Sequence, residues 1–138
     1  VSRIVQTADA DKIKTGETAV IITYGMGVYW AKAASKMFPG KIEILDLRTL
    51  NPIDWDAITN SVKVHGRAFV LTEEPLLNSF AESLAGRISK ECFQFLDAPV
   101  WTLGAANLPA IPLNVDLEKM MLPNPEKVSA EIEKLLNY

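Results

Sequence analysis

Side chains suited to acid, base or metal chemistry are scarce in this sequence of 138 residues. It has one cysteine and one histidine, which excludes an internal disulfide and a zinc site of the usual cysteine and histidine type. His65 has no serine or cysteine beside it to activate, and Cys92 falls on an apolar helical stripe. We therefore predict no catalytic residue and no metal ligand. An enzyme with this inventory would depend on carboxylates, lysines or a bound cofactor.

Two adjacent carboxylates, Glu73 and Glu74, come directly after a predicted strand. That position is the carboxyl edge of a parallel sheet, where ligands of open α/β folds bind. Neighbouring side chains on an extended chain point in opposite directions, so the two carboxylates need not face one site. We interpret them as polar capping groups or as part of a contact with another subunit, in preference to an acid/base pair.

The turn Gly25-Met-Gly27 follows a predicted strand and opens a helix, and Asp46 lies near the end of the next strand. This spacing resembles a dinucleotide-binding fingerprint. The third glycine of the fingerprint is replaced by Trp30, whose indole would obstruct close helix packing. A tight strand-to-helix turn is the favoured interpretation, and a free-standing nucleotide-binding module stays open as an alternative.

Apolar strand-like runs alternate with amphipathic helical patterns along the chain, as in parallel α/β sheets. We predict a three-layer α/β/α sandwich with a mostly parallel, open sheet of about five strands. Four main strands are predicted over residues 18–24, 42–47, 67–72 and 100–103. The remaining strand, over residues 3–6, is predicted at a sheet edge.

Three helices have recognisable start signals. Asp54 caps a helix that ends at Gly66, and Asn124-Pro125 opens the last helix. Ser79-Phe-Ala-Glu82 forms a capping box, in which each side chain can bond the other residue's backbone N–H. A buried stripe follows the box, with apolar residues at every fourth position: Phe80, Leu84, Ile88, Cys92 and Leu96.

The composition is that of one globular domain over residues 1–138, with 49% hydrophobic and 22% charged residues. A net charge of −3 disfavours nucleic-acid binding. No stretch of the given sequence is long and apolar enough to predict a membrane span, and its polar first residues do not predict a secretory signal. Because the chain does not begin with methionine, we expect a fragment of something longer.

An apolar, proline-containing segment covers residues 108–122. A monomer has little reason to display so many large apolar side chains in an irregular stretch, so the segment either folds back on the core or forms a subunit interface. The interface candidates in this segment are Leu108, Ile111, Met120 and Met121.

The stretch Ile42-Glu-Ile-Leu-Asp-Leu-Arg-Thr-Leu-Asn-Pro-Ile-Asp54 resembles the C-terminal, transketolase-like domain of the beta subunit of thiamine-dependent 2-oxoacid dehydrogenases. Further motifs match in order, among them Leu96-Asp-Ala-Pro-Val100 and Leu122-Pro-Asn-Pro-Glu-Lys-Val128. The segment from Glu73 to Glu82 is similar to branched-chain-type members with fused alpha and beta parts, which implies branched-chain amino acid degradation. A transketolase or a 1-deoxyxylulose-phosphate synthase is an alternative source of such a domain.

The resemblance implies a non-catalytic domain for assembly and docking. Thiamine diphosphate and magnesium would belong to other parts of the parent enzyme, with no cofactor bound here. The implied partners are other domains and subunits of the dehydrogenase, a second copy of the chain, and the subunit-binding domain of a lipoyl acyltransferase. Asp97 and the terminal carboxylate of Tyr138 are the residues implied in docking, facing a basic partner. The implied compartment is the bacterial cytoplasm, or the mitochondrial matrix in a eukaryote.

Overall fold

A five-stranded sheet runs through the part of the protein that the computed structural model describes, residues 2–106 and 122–138. The strand order is β1-β3-β2-β4-β5, with β1 antiparallel to β3 and the other pairs parallel. This confirms the predicted open, mostly parallel sheet and its added edge strand. The strands are β1 (Arg3–Gln6), β2 (Ala19–Thr23), β3 (Ile42–Asp46), β4 (Ala68–Pro75) and β5 (Trp101–Ala105).

Helices cover both faces of the sheet and give the predicted three layers. The helices of the described residues are α1 (Ala10–Lys14), α2 (Met26–Ser35), α3 (Trp55–His65), α4 (Phe80–Glu91) and α5 (Pro125–Leu136), with a 3-10 turn at Phe93–Phe95. Helices α2 and α5 contact each other on one face, while α3 and α4 pack on the other. The short α1 was not predicted, because only Ala10 and Ile13 of its five residues are apolar and none of the five is buried.

The helix caps follow the local sequence. The Asp54 carboxylate accepts a hydrogen bond from the backbone N–H of Ala57 at 3.2 Å, and α3 ends at Gly66 with φ +71°. The Asn124 side chain accepts from the N–H of Lys127 at 2.8 Å. These contacts satisfy backbone groups that a helix end leaves without a partner.

The capping box is half formed. The Ser79 hydroxyl accepts from the N–H of Glu82 at 3.2 Å, as predicted. The N–H of Ser79 donates to the carbonyl of Leu76 at 3.1 Å, so the position expected for the Glu82 carboxylate is taken by the backbone. One half of the motif is enough to start α4 here.

The core has two parts, one on each face of the sheet, because successive strand residues point to opposite sides. Ile22 and Val70 face α3 and α4, whereas Ile21 and Phe69 face α2 and α5. All four side chains are buried. Both faces of β2 are apolar for this reason, as expected for a central parallel strand.

Candidate functional site

The carboxyl ends of β2, β3 and β4 meet at one edge of the sheet, which we call the carboxyl edge. In the strand order, β2 lies between β3 and β4. Its following helix α2 packs on one face, and α4, which follows β4, packs on the other. Such a switch point is where open α/β sheets form a crevice. A cavity of about 780 Å³ lies there, lined by Arg3, Ile4, Val5, Gly25, Met26, Val28, Tyr29, Lys32, Asp46, Arg48 and Glu73.

Glu73 and Glu74 are both exposed at this edge, but they have different neighbours. They belong to β4, which runs further than predicted, to Pro75. The Glu73 carboxylate lines the cavity and lies over the Gly25 turn. The Glu74 carboxylate accepts a hydrogen bond from the Tyr24 hydroxyl at 3.3 Å. The two carboxylates therefore do not form an acid/base pair.

The Tyr24 hydroxyl is a polar group between the strands β2 and β4. It lies 2.8 Å from the Thr72 hydroxyl. Burial raises the pKa of Tyr24, the Thr72 hydrogen bond lowers it, and the charge of Glu74 raises it again, with a net rise from the usual value of 10.0. Tyr24 therefore keeps its proton at neutral pH and acts as a hydrogen-bond donor to the carboxylate.

The glycine turn has a packing function. Gly25 has φ +58°, a left-handed conformation that favours glycine. A Cβ at Gly27 would overlap the Thr23 hydroxyl, so this glycine allows α2 to approach β2 closely. The Thr23 hydroxyl is buried and donates to the Leu71 carbonyl at 2.9 Å.

Several features of the turn argue against a nucleotide phosphate. The Glu73 carboxylate lies where a phosphate would bind, 3.4 Å from the Cβ position of Gly25. Two groups of Arg48 contact the Asp46 carboxylate. The Arg48 guanidinium lies 3.7 Å from it, and the backbone N–H of Arg48 donates a hydrogen bond to it at 3.2 Å. Trp30, which replaces the third glycine of the fingerprint, lies on α2 and packs against the core on the face of the sheet that α2 and α5 cover.

Asp97 and Tyr138, the two predicted docking residues, line one groove. We call it the docking groove; its volume is about 410 Å³ and its lining is Ser89, Phe93, Leu96, Asp97, Ala98, Pro99 and Tyr138. It lies before the first residue of β5 and thus at the amino edge of the sheet, opposite the carboxyl edge. Both predicted residues are exposed there.

Backbone contacts hold Asp97 in the groove. Its N–H donates to the Gly66 carbonyl at 2.7 Å, and its carboxylate lies against Gly66 so closely that a Cβ there would overlap it. Gly66 thus serves both as the left-handed end of α3 and as a seat for Asp97. On the other side of the groove, the Tyr138 ring meets Trp101 edge to face at 6.2 Å.

His65, the residue before Gly66, belongs to a buried polar network. Its Nδ1 lies 2.7 Å from the Thr18 hydroxyl and its Nε2 lies 3.0 Å from the Glu43 carboxylate. Hydroxyl, imidazole and carboxylate follow one another as in a catalytic triad. Thr18 is only 1% exposed, so no substrate could reach its hydroxyl. The network joins the ends of β2, β3 and α3 as a structural element.

Burial raises the pKa of the Glu43 carboxyl, but hydrogen bonds from His65 and Ser61 and the charge of His65 outweigh it. The net effect lowers the pKa from its usual value of 4.5. Glu43 therefore stays ionised at neutral pH and accepts from the imidazole. Sequence reasoning missed Thr18 and Glu43, because they lie 47 and 22 residues away from His65.

Cys92 and two tryptophans, Trp55 and Trp101, have structural roles. Cys92 is buried in the core, as its position on the helical stripe predicted. Trp55 is half-buried and lies against the Arg87 guanidinium, 3.9 Å from the ring centroid. Trp101 is half-buried and its indole N–H donates to Glu131 at 2.7 Å. Leu108, Ile111, Met120 and Met121 lie outside the described residues.

Within residues 2–106 and 122–138, no group of three or more histidine, cysteine or acidic side chains could hold a metal ion. In the same ranges, no helix has the length and apolarity needed to cross a membrane.

A family model described as the transketolase C-terminal domain matches residues 8–128. The chain is 33% identical over 132 residues to a 2-oxoisovalerate dehydrogenase subunit beta of Bacillus subtilis, covering 94% of this chain and 40% of that protein. It is 36% identical over 118 residues to a pyruvate dehydrogenase E1 component subunit beta of Rhizobium meliloti, covering 83% of this chain and 25% of that protein. The chain thus spans two fifths or less of these curated relatives.

Among solved structures, a chain described as a split gene transketolase in an inactive beta4 tetramer superposes with a TM-score of 0.78. The superposition covers 99% of this chain and 42% of that one at 18% identity, so it shows the fold alone. The family match and the sequence relatives carry the assignment further. The chain belongs to the transketolase C-terminal domain family and is similar to the beta subunits of bacterial 2-oxoacid dehydrogenases.

Proposed function

We propose that this chain is a non-catalytic assembly and docking domain of the decarboxylase component of a 2-oxoacid dehydrogenase. The observation that carries the proposal is the docking groove, in which two residues 41 positions apart, Asp97 and Tyr138, line one surface. Its relatives are beta subunits of enzymes that act on 2-oxoisovalerate or pyruvate. We place the reaction itself, thiamine-dependent oxidative decarboxylation with acyl transfer to lipoyl, in the whole enzyme.

The chemistry of the groove defines its partner. Phe93 is 77% exposed and Tyr138 is 67% exposed, and they flank a lining that is largely apolar. Asp97 is the one carboxylate side chain of the lining, and the lining has no basic side chain. Such a surface favours a partner with an apolar contact and a basic group, which is the expected character of the acyltransferase's subunit-binding domain.

The described residues offer no alternative active site, since the triad-like network at His65 is buried and the carboxylates of the carboxyl edge diverge. Following the family resemblance, we place the thiamine diphosphate and magnesium sites in other domains or subunits of the enzyme. The bacterial relatives favour the cytoplasm as the compartment.

The docking role is tested by calorimetry with the subunit-binding domain of a lipoyl acyltransferase. Asp97→Asn removes the charge and keeps the shape, and we expect binding to weaken by about 1 to 3 kcal/mol. Asp11→Asn, a change at an exposed carboxylate of α1 outside the groove, is the matched control and should bind as the unchanged protein does. Equal affinities for the Asp97 and Asp11 variants would contradict the role of Asp97.

The non-catalytic role is tested separately. The purified chain, supplied with thiamine diphosphate, magnesium and 2-oxoisovalerate or pyruvate, should release no carbon dioxide above the background without protein. Turnover of either 2-oxoacid by this chain alone would overturn the assignment.

A further inference from the structure

Two aspartates at the amino edge of the sheet lie against a glycine in the same way. The N–H of Asp97 donates to the Gly66 carbonyl at 2.7 Å, and the N–H of Asp9 donates to the Gly40 carbonyl at 2.8 Å. Both glycines are left-handed, with φ +71° at Gly66 and φ +72° at Gly40. A Cβ on either glycine would overlap the carboxylate of its aspartate. We call this arrangement a glycine seat, and the described residues contain it before β3 and again before β4.

The two glycine seats differ in the charges around the carboxylate. The Lys12 ammonium lies 4.0 Å from the Asp9 carboxylate. In residues 2–106 and 122–138, no cation lies within salt-bridge distance of the Asp97 carboxylate. Gly66 ends α3, and the C-terminal end of a helix carries a partial negative charge that does not favour an anion. The charge of Asp97 is therefore left for a cation from outside.

Three basic side chains are close in sequence to the seat of Asp97, but each is directed to another group. The Lys63 ammonium lies over the Phe95 ring, 5.1 Å from its centroid. The His65 imidazole belongs to the buried polar network. The Arg67 guanidinium donates to a backbone carbonyl at 2.8 Å. The fold thus places cations near the seat and leaves Asp97 without one.

We propose that Gly66 is a positioning residue for docking, which holds the Asp97 carboxylate where a basic side chain of the partner binds it. A side chain at position 66 would force the Asp97 side chain into another rotamer. The backbone leaves little room to adjust, because the Phe95 carbonyl lies 3.3 Å from the same Cβ position. This inference deepens the proposed docking role and rests on it.

A carboxylate held in one place suits the recognition of a cation. A charge-assisted hydrogen bond is strong only when donor and acceptor are well aligned. A side chain that is already ordered before binding also loses less conformational freedom when the partner arrives. The exposed carboxylate of Asp97 gains this order from the seat, because its own N–H and its carboxylate both contact Gly66.

A double-mutant cycle tests the positioning role by calorimetry with the acyltransferase's subunit-binding domain. We expect Gly66→Ala to raise the Kd by about fivefold to tenfold, because the displaced carboxylate meets the basic group poorly. In an Asp97→Ala background the same change at Gly66 should leave the Kd unchanged, since no carboxylate remains to be displaced. A general loss of stability would not produce this dependence on Asp97.

Gly66→Asn separates displacement of the carboxylate from strain in the backbone. Asparagine tolerates the left-handed conformation better than alanine does, but its Cβ occupies the same place. It should therefore weaken binding as much as Gly66→Ala does, with a smaller loss of stability in urea. This variant also carries the test if Gly66→Ala does not fold.

The matched control is Gly40→Ala, which repeats the left-handed strain and the overlap with an aspartate at the other glycine seat, outside the docking groove. It should lower stability in urea and leave the Kd unchanged. If Asp97→Asn weakens binding but the Gly66 variants do not, or if they weaken it equally without the Asp97 carboxylate, the positioning role is wrong and the docking role stands. If Asp97→Asn binds as the unchanged protein does, both are wrong.

Discussion

The two edges of the sheet present different kinds of surface. The cavity at the carboxyl edge is lined by Arg3 and Lys32, which have no salt bridge among the described residues, by the Glu73 carboxylate and by exposed apolar side chains. The docking groove instead places one carboxylate, Asp97, in a largely apolar lining. A lining with both signs does not select a partner by the sign of its charge, whereas a lining with one carboxylate favours a basic group.

The two surfaces also have different supports. The cavity at the carboxyl edge depends on the close approach of α2 to β2, which Gly27 permits above the buried Thr23 hydroxyl. The docking groove is connected to the polar network of His65 through the next residue, Gly66, whose carbonyl accepts a hydrogen bond from the N–H of Asp97. The first support is a steric fit and the second is a set of directed hydrogen bonds, so different changes disturb them.

The largest expected effect is the loss of stability when the close approach of α2 to β2 is blocked. Gly27→Ala places a methyl group against Thr23, whose hydroxyl is buried and hydrogen-bonded and cannot move aside easily. We expect the free energy of unfolding in urea to fall by about 2 to 3 kcal/mol, as in other overpacked cores. The matched control is Gly86→Ala in α4, where a Cβ would meet nothing within 4 Å. That control should gain about 0.5 to 1 kcal/mol of stability. A Gly27 variant as stable as the Gly86 variant would contradict the steric account.

A smaller effect is expected from the apolar side chains of the docking groove. Phe93→Ala removes a ring that is 77% exposed, so the free energy of unfolding should change by less than about 0.5 kcal/mol. Binding of the acyltransferase's subunit-binding domain should weaken by about 1 to 2 kcal/mol, because the ring flanks the Asp97 carboxylate. Leu77→Ala, at a residue 57% exposed outside both surfaces, is the control in the same calorimetric titration. If the two variants bind equally well, the apolar part of the groove does not contribute.

The smallest expected effect concerns how the stability contributed by the polar network of His65 depends on pH. The folded-state pKa of Glu43 is lowered from its usual 4.5, so Glu43 contributes stability above that pH and loses it as the pH falls through the folded value. Glu43→Gln has no charge to titrate and should show a flatter loss of stability between neutral pH and pH values below about 4.5. Urea unfolding at a series of pH values compares the two proteins. If the free energies of unfolding of the two proteins fall in parallel as the pH is lowered, ionisation of Glu43 does not contribute to stability.

Much of the fold could be predicted from local sequence signals. The alternation of apolar runs with amphipathic stretches gave the layers, and cap residues such as Asp54 and Asn124 gave the helix starts. The edge strand β1 was also predicted, although it is only four residues long. These features were accessible because each depends on residues that are close in sequence.

Features that depend on register could not be predicted from the residues alone. The partners of His65 come from β2 and β3, and which residues meet it depends on how those strands align. Tyr138 and Asp97 were matched through a resemblance, and their common groove became visible only with α5 in place. The exposed apolar side chains Met26 and Tyr29 gave no sequence signal either, because they alternate with buried residues along α2.

The placement of the docking groove at the amino edge of the sheet has a consequence for valency. Each copy of the chain in an assembly would present one such groove. A multimeric partner with several binding domains on linkers could then engage grooves on more than one copy, and the second attachment would occur at the high effective concentration set by the linker. Modest affinity at each groove would suffice for a long-lived assembly in which single attachments still exchange.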